Sequence, residues 1–141
     1  MDAARPDFEK YDSELQIVER GFRSLCERQE VRQPSIERWR WDVAMISLQW
    51  TPSDDVSRNI NASVDRKRPR AMNFEVNAWQ DVDRPRGTNR VRYWRHEELK
   101  SLPMPLDADA VGELLEDAYR RVSGWTFESM QQKTELTPWP E

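Results

Sequence analysis

The sequence is poor in the residues on which several classes of protein depend. Its 141 residues include one cysteine, one histidine and four glycines. A lone Cys26 cannot close an intramolecular disulfide, so a disulfide-stapled scaffold is excluded. The glycines are too far apart to make a dinucleotide-binding or phosphate-binding loop, because both loops need closely spaced glycines. We therefore expect no cofactor.

Long apolar runs are missing as well. The longest aliphatic stretch covers residues 43–46, whereas a bilayer-crossing helix needs roughly 20 apolar residues. Residues 1–10 lack the order of a signal peptide, in which basic residues precede an apolar run. Hydrophobic residues still make up 37% of the chain, which excludes wholesale disorder. The sequence predicts one soluble, cytoplasmic domain over residues 1–141, with no membrane partner.

Groupings of catalytic and metal-binding residues are equally sparse. His96 lies among charged residues, where an ordinary surface histidine is expected, and no second histidine is present for a zinc motif. Neighbouring acidic pairs such as Asp54/Asp55 and Asp107/Asp109 suit turns and helix caps better than a cation site. The sequence thus predicts no catalytic residue and no metal site, and it favours a protein that is not an enzyme.

Two segments have the apolar spacing of amphipathic helices. In residues 8–30 apolar residues recur at steps of four and three, which places them in one stripe along a helix. In residues 107–123 a second apolar stripe follows two acidic residues that can cap a helix. The two stripes are Tyr11, Leu15, Val18, Phe22 and Leu25, and Val111, Leu114, Leu115, Ala118 and Val122. Gly124 suits the end of the second helix. Gly21 interrupts the first helix, and a close neighbour would explain it.

Between these helices, apolar and polar residues alternate over residues 36–96, as is typical of β-strands. We expect one long strand over residues 36–50, then strands over residues 59–65 and 72–79 and a last strand from Val91. In the first strand both the odd-numbered and the even-numbered residues are apolar. This pattern indicates either a central strand or a bulge near residues 42–44. Whether Trp39 and Trp41 lie in the core or on the surface stays open.

The order of elements predicts an α+β fold. It would be a two-layer sandwich, in which an N-terminal and a C-terminal helix pack on one face of a four-stranded antiparallel meander. Residues 125–141 have no clear period and are expected to form an ordered irregular tail.

The opposite face of the predicted sheet is polar and aromatic. The side chains placed there by strand alternation are Asn61, Asn77, Trp79, Arg90, Arg92 and Trp94. Tryptophan and arginine are enriched at interaction hot spots. The sequence therefore predicts a small binding or adaptor protein that uses this face. A protein partner or a second copy of the chain, giving a homodimer, is the expected occupant.

Two other functions stay open. Residues 57–100 carry eleven basic and six acidic residues, with basic clusters at residues 66–70 and 84–86. Together with the tryptophans they fit a single-stranded nucleic-acid binder, although a net charge of −4 argues against a strong polyanion site. The other alternative is a small-molecule-binding protein or an enzyme. It would have a pocket between sheet and helices where carboxylates meet His96, Tyr93 or Tyr119.

Overall fold

The computed structural model describes residues 10–40, 44–64, 70–83, 90–130 and 132–136, with the backbone alone at residues 39, 40, 135 and 136. This part of the chain forms two α-helices, six β-strands and one short 3-10 helix. In chain order they are α1 (Asp12–Arg28), β1 (Ser35–Arg40), β2 (Ala44–Trp50), β3 (Ser57–Val64), β4 (Ala71–Asp83), β5 (Arg90–Pro103), α2 (Ala108–Ser123), the 3-10 helix (Phe127–Ser129) and β6 (Gln132–Leu136).

The two helices form because each buries one apolar stripe. The buried residues of α1 are Leu15, Val18, Phe22 and Leu25, and those of α2 are Val111, Leu114, Leu115, Ala118 and Val122. The Asp107 carboxylate caps α2 by accepting a hydrogen bond from the Ala110 backbone amide at 3.1 Å. Gly124 is the C-terminal cap of that helix. Neither helix, nor any other helix among the described residues, is long and apolar enough to span a bilayer.

The six strands form one antiparallel sheet whose spatial order follows the chain, β1-β2-β3-β4-β5-β6. The even-numbered apolar side chains of β2, of β3 and of β4 as far as Ala78 are buried together with the stripes of both helices in a single core. Both helices therefore cover one face of the sheet, and the odd-numbered side chains of these strands lie on the other. The architecture is α+β, as the sequence predicts.

The predicted number of four strands is wrong. Residues 36–50 do not form one long strand, because β1 folds back on β2, with Ser35 opposite Gln49 and Arg40 opposite Ala44. Of the residues 42–44, where a bulge was one of the two alternatives, 42 and 43 lie outside the described residues. Trp41 lies outside the described residues, and the Trp39 backbone pairs with that of Met45. The sixth strand comes from the tail that was expected to be irregular, because β6 pairs with β5.

Candidate functional site

One face of the sheet carries the polar and aromatic side chains of β2 to β6, whereas both described helices pack on the opposite face. We call this surface the open face. Ser47 and Asn61 lie on it and are each only 9% exposed. Within the part of the chain that the structure describes, these side chains are surrounded by the neighbouring strands and not by a helix.

A chain of hydrogen bonds begins in the middle of the open face. Ser47 Oγ donates to Asn61 Oδ1 at 2.6 Å, and Asn61 Nδ2 donates to Glu75 Oε1 at 2.9 Å. The strand register creates this chain, because Ser47 is opposite Asn61 and Asn61 is opposite Glu75. The contacts satisfy polar atoms that water reaches poorly, and they fix these side chains relative to one another.

The chain continues through His96 on β5. Its Nε2 atom lies 3.7 Å from Glu75 Oε2, and its Nδ1 atom lies 2.7 Å from Asn77 Oδ1. Asn77 Nδ2 in turn donates to Asn59 Oδ1 at 2.8 Å. Because Asn77 thus presents its oxygen to the imidazole, the network assigns the hydrogen to His96 Nδ1. The whole chain of polar contacts crosses four strands, from β2 to β5.

Next to this network the open face has a depression of about 440 Å³. Its floor and walls include Asn59, Asn77, Trp79, Trp94 and Thr134, together with Ala78, Arg92 and Arg95. Trp79 and Trp94 occupy opposite positions on β4 and β5. The indole Nε1–H of Trp94 donates to Thr134 Oγ1 at 3.0 Å, which ties β6 to the rim of the depression.

The charges at the depression are paired within the protein. Arg92 donates from Nε and Nη2 to the two Asp81 oxygens at 2.7 and 3.1 Å, and its guanidinium lies 5.8 Å from the centre of the Trp79 ring. The hydrogen bond from Arg92 lowers the pKa of Asp81, and the same bond raises the pKa of Arg92. Both groups are therefore charged at neutral pH and cancel each other. Arg95 also lines the depression, but its guanidinium lies over the Trp125 ring, 4.3 Å from the ring centre.

Five of the six side chains predicted from the sequence come together here. Asn77, Trp79, Arg92 and Trp94 line the depression, and Asn61 belongs to the adjoining network. Arg90 lies farther along β5 and pairs with Asp83 at 2.9 Å, where both side chains are largely exposed. The basic clusters at residues 66–69 and 84–86 lie outside the described residues, and Arg70 is exposed.

Other members of the network were missed by sequence reasoning. Asn59 and Glu75 have the same outward parity as their neighbours, so alternation alone could have included them. His96 was expected to be an ordinary surface residue, and its two contacts depend on the register between β4 and β5. Thr134 belongs to the predicted tail, where no pattern indicated a strand.

The three residues named for the enzyme alternative, any one of which could serve it, have different surroundings. His96 lies on the open face, Tyr93 packs edge-on against Phe127, and Tyr119 stacks on the buried Trp50 with ring centres 5.5 Å apart. The depression and the two grooves described next are lined by none of these three side chains.

Two other grooves lie on the helix side of the molecule. One of about 610 Å³ runs between α1 and α2, and one of about 440 Å³ runs between β5 and α2. Some of their charged residues form ion pairs, such as Arg28 with Glu116 and Arg121 with Asp117. Neither groove has the combination of indoles and carboxamides found at the depression.

No protein-family model, curated protein or solved structure matches this chain.

Proposed function

We propose that this chain is a binding protein that works through the open face, without a chemical step of its own. The observation that carries the proposal is the depression between Trp79 and Trp94, which adjoins a hydrogen-bonded polar network. Aromatic walls with a few placed polar groups are typical of ligand sites, and the volume falls within the range of about 300–1,000 Å³ for such sites.

The ligand that fits this surface is uncharged. Arg92 is held by both oxygens of Asp81, so it offers no free cation to a phosphate or a carboxylate. Arg90 forms a single, exposed ion-pair contact with Asp83 at the end of the strand. Polyanion binding relies on unpaired lysine and arginine side chains. These pairings count against the nucleic-acid alternative, and the small size of the depression favours a small ligand over a protein partner or a second copy.

The first test asks whether the two tryptophans belong to a working surface or to the core. We expect Trp79→Ala and Trp94→Ala each to lower the free energy of unfolding by less than about 2 kcal/mol, since both side chains are only half-buried. Trp50→Ala is the matched control in the core and should cost about 3–5 kcal/mol. Urea unfolding followed by circular dichroism measures all three. A loss of several kcal/mol in the first two variants would contradict the proposal.

The second test asks what the wild-type protein carries and how it associates. Light scattering coupled to size exclusion, at low and high salt and with the absorbance ratio recorded, should show a monomer free of nucleic acid. Nucleic acid that salt removes would replace the proposal with the polyanion alternative. A salt-insensitive dimer that Trp94→Ala dissociates would make the open face an interface between two copies.

A further inference from the structure

We infer that the depression binds an uncharged saccharide. The inference rests on the proposed function and names the ligand class of the same site. A pyranose ring has one face of C–H groups and a rim of hydroxyl groups. It therefore needs flat apolar surface beside neutral hydrogen-bonding groups, and the depression presents both within one open hollow.

The apolar surface comes from Trp79 and Trp94. The pleat of antiparallel strands places side chains at opposite positions on the same side of the sheet, about 5 Å apart at Cβ. Two half-exposed indoles at this spacing make a platform for C–H groups. The Trp94 indole is further oriented by its hydrogen bond to Thr134, so its position is set before a ligand binds.

The hydrogen-bonding groups are carboxamides and a hydroxyl. Asn59 uses its oxygen to accept from Asn77, and its Nδ2 group donates to no described side chain. The Thr134 oxygen accepts from Trp94, which leaves the hydroxyl hydrogen for an outside acceptor. Both groups point to a ligand rich in neutral oxygen acceptors, such as sugar hydroxyls and ring oxygens.

Charge excludes the competing classes of ligand that also stack on aromatic rings. A nucleotide or an acidic sugar would place an anion near Arg92, whose charge is already neutralised by the Asp81 carboxylate. The adjoining network adds a second carboxylate, Glu75, to this side of the sheet. An uncharged saccharide avoids both costs because it brings no ion that must be desolvated.

The test uses four defined probes: cellotetraose, maltotetraose, chitotetraose and mannotetraose. Each is titrated into ¹⁵N-labelled protein to about 10 mM, a range that detects dissociation constants near 1 mM, as expected for small neutral ligands. The indole N–H resonances of Trp79 and Trp94, assigned with Trp→Phe variants, should shift with at least one probe. A decathymidylate oligonucleotide serves as the charged competitor.

Variants then locate the site. Trp79→Ala and Trp94→Ala should each weaken binding at least about tenfold, and Thr134→Val, which keeps the shape but removes the hydroxyl, should weaken it about threefold to tenfold. Phe127→Ala is the matched control, because it removes an exposed aromatic ring that packs on Tyr93 away from the open face. This control should leave affinity unchanged.

Three results would overturn the inference: no shift with any of the four saccharides, binding that the Trp79→Ala and Trp94→Ala variants retain, or binding of decathymidylate alone. If the tryptophans prove to be surface residues by the unfolding test and no saccharide binds, the ligand class is wrong while the binding surface stands. If both substitutions unfold the protein, the proposed function fails together with the saccharide.

Discussion

A buried guanidinium joins the sheet to the segment that follows α2. Arg58 on β3 is 3% exposed, and it donates to the backbone oxygens of Val56, Val122 and Trp125 at 2.7–3.0 Å. Its two terminal nitrogens also donate to the Asp54 carboxylate at 3.1 and 2.9 Å. All the donors of the guanidinium are thereby used, which is the condition under which a buried charge is tolerated.

We predict that Arg58→Met lowers the free energy of unfolding by about 3–5 kcal/mol. The substitution keeps much of the aliphatic volume, but it removes the guanidinium donor from the backbone oxygens of Val56, Val122 and Trp125 and leaves the Asp54 carboxylate without its cation. Urea denaturation at pH 7 measures the change. Arg120→Met is the matched control at an exposed position of α2 and should stay within about 0.5 kcal/mol of wild type. A loss below about 1 kcal/mol at Arg58 would show that the guanidinium is dispensable.

At the residue scale, the sequence was informative about which face a side chain occupies and silent about its partners. Alternation with a period of two placed Asn77, Trp79 and Trp94 together, and the structure brings them to one depression. The contact of His96 with Glu75 depends on pairing, and β4 and β5 shift register between Asn73 and Glu75. Such a shift involves a local irregularity in how two strands pair. The alternation of residues along one strand cannot show it.

At the scale of elements, the contact between α1 and α2 depends on a glycine. A Cβ atom built on Gly21 would lie 2.8 Å from Leu115 Cδ1, and Leu115 is fully buried. The sequence pattern suggested such a neighbour without identifying it. Gly112 lines the same interhelical groove from α2, but a Cβ atom there would meet nothing within 4 Å.

We predict opposite effects for alanine at these two glycines. Gly112→Ala should stabilise the protein by about 0.5–1 kcal/mol, because alanine has the higher helix propensity and the site has room. Gly21→Ala gains the same propensity but overpacks the core, which costs about 1–3 kcal/mol, so its net effect should be destabilising by about 1 kcal/mol. Thermal and urea unfolding of the two variants side by side give the comparison. A stabilised Gly21→Ala protein would mean that the helices separate easily.

The elements predicted correctly from the sequence were those in which apolar residues recur at a regular spacing. Both helices have one apolar stripe over several turns, and α2 also has its capping residue Asp107. The β1–β2 reversal was missed because both parities are apolar around residues 43–46, which hides a change of direction. The last strand was missed because β6 is short and polar and adds only to the edge of β5.

For the whole molecule, carboxylates held by arginines couple folding to pH. The hydrogen bond from Arg58 lowers the pKa of Asp54, and that from Arg92 lowers the pKa of Asp81. In the unfolded chain an aspartate has a pKa of about 3.9. Below that pH the unfolded chain therefore binds more protons than the folded protein, and acid favours unfolding.

We predict that the free energy of unfolding is nearly level above about pH 5 and falls as the pH drops through about 4 toward the lowered values. Asp81 is the better probe, because its side chain is 19% exposed whereas that of Asp54 is 46% exposed and screened by water. Asp81→Asn should lower stability at pH 7 by up to about 1 kcal/mol and make the decline between pH 5 and 3 shallower than in wild type.

Urea unfolding at half-unit pH steps tests this dependence. The matched control is Glu27→Gln, which removes an exposed carboxylate that has no described side-chain partner. This control should keep the wild-type decline, because it leaves both aspartate–arginine pairs in place. If Asp81→Asn also keeps that decline, the pair with Arg92 does not survive in solution. The charge-neutral depression, on which an uncharged ligand depends, would then lose its physical basis, because Arg92 would be free to attract an anion.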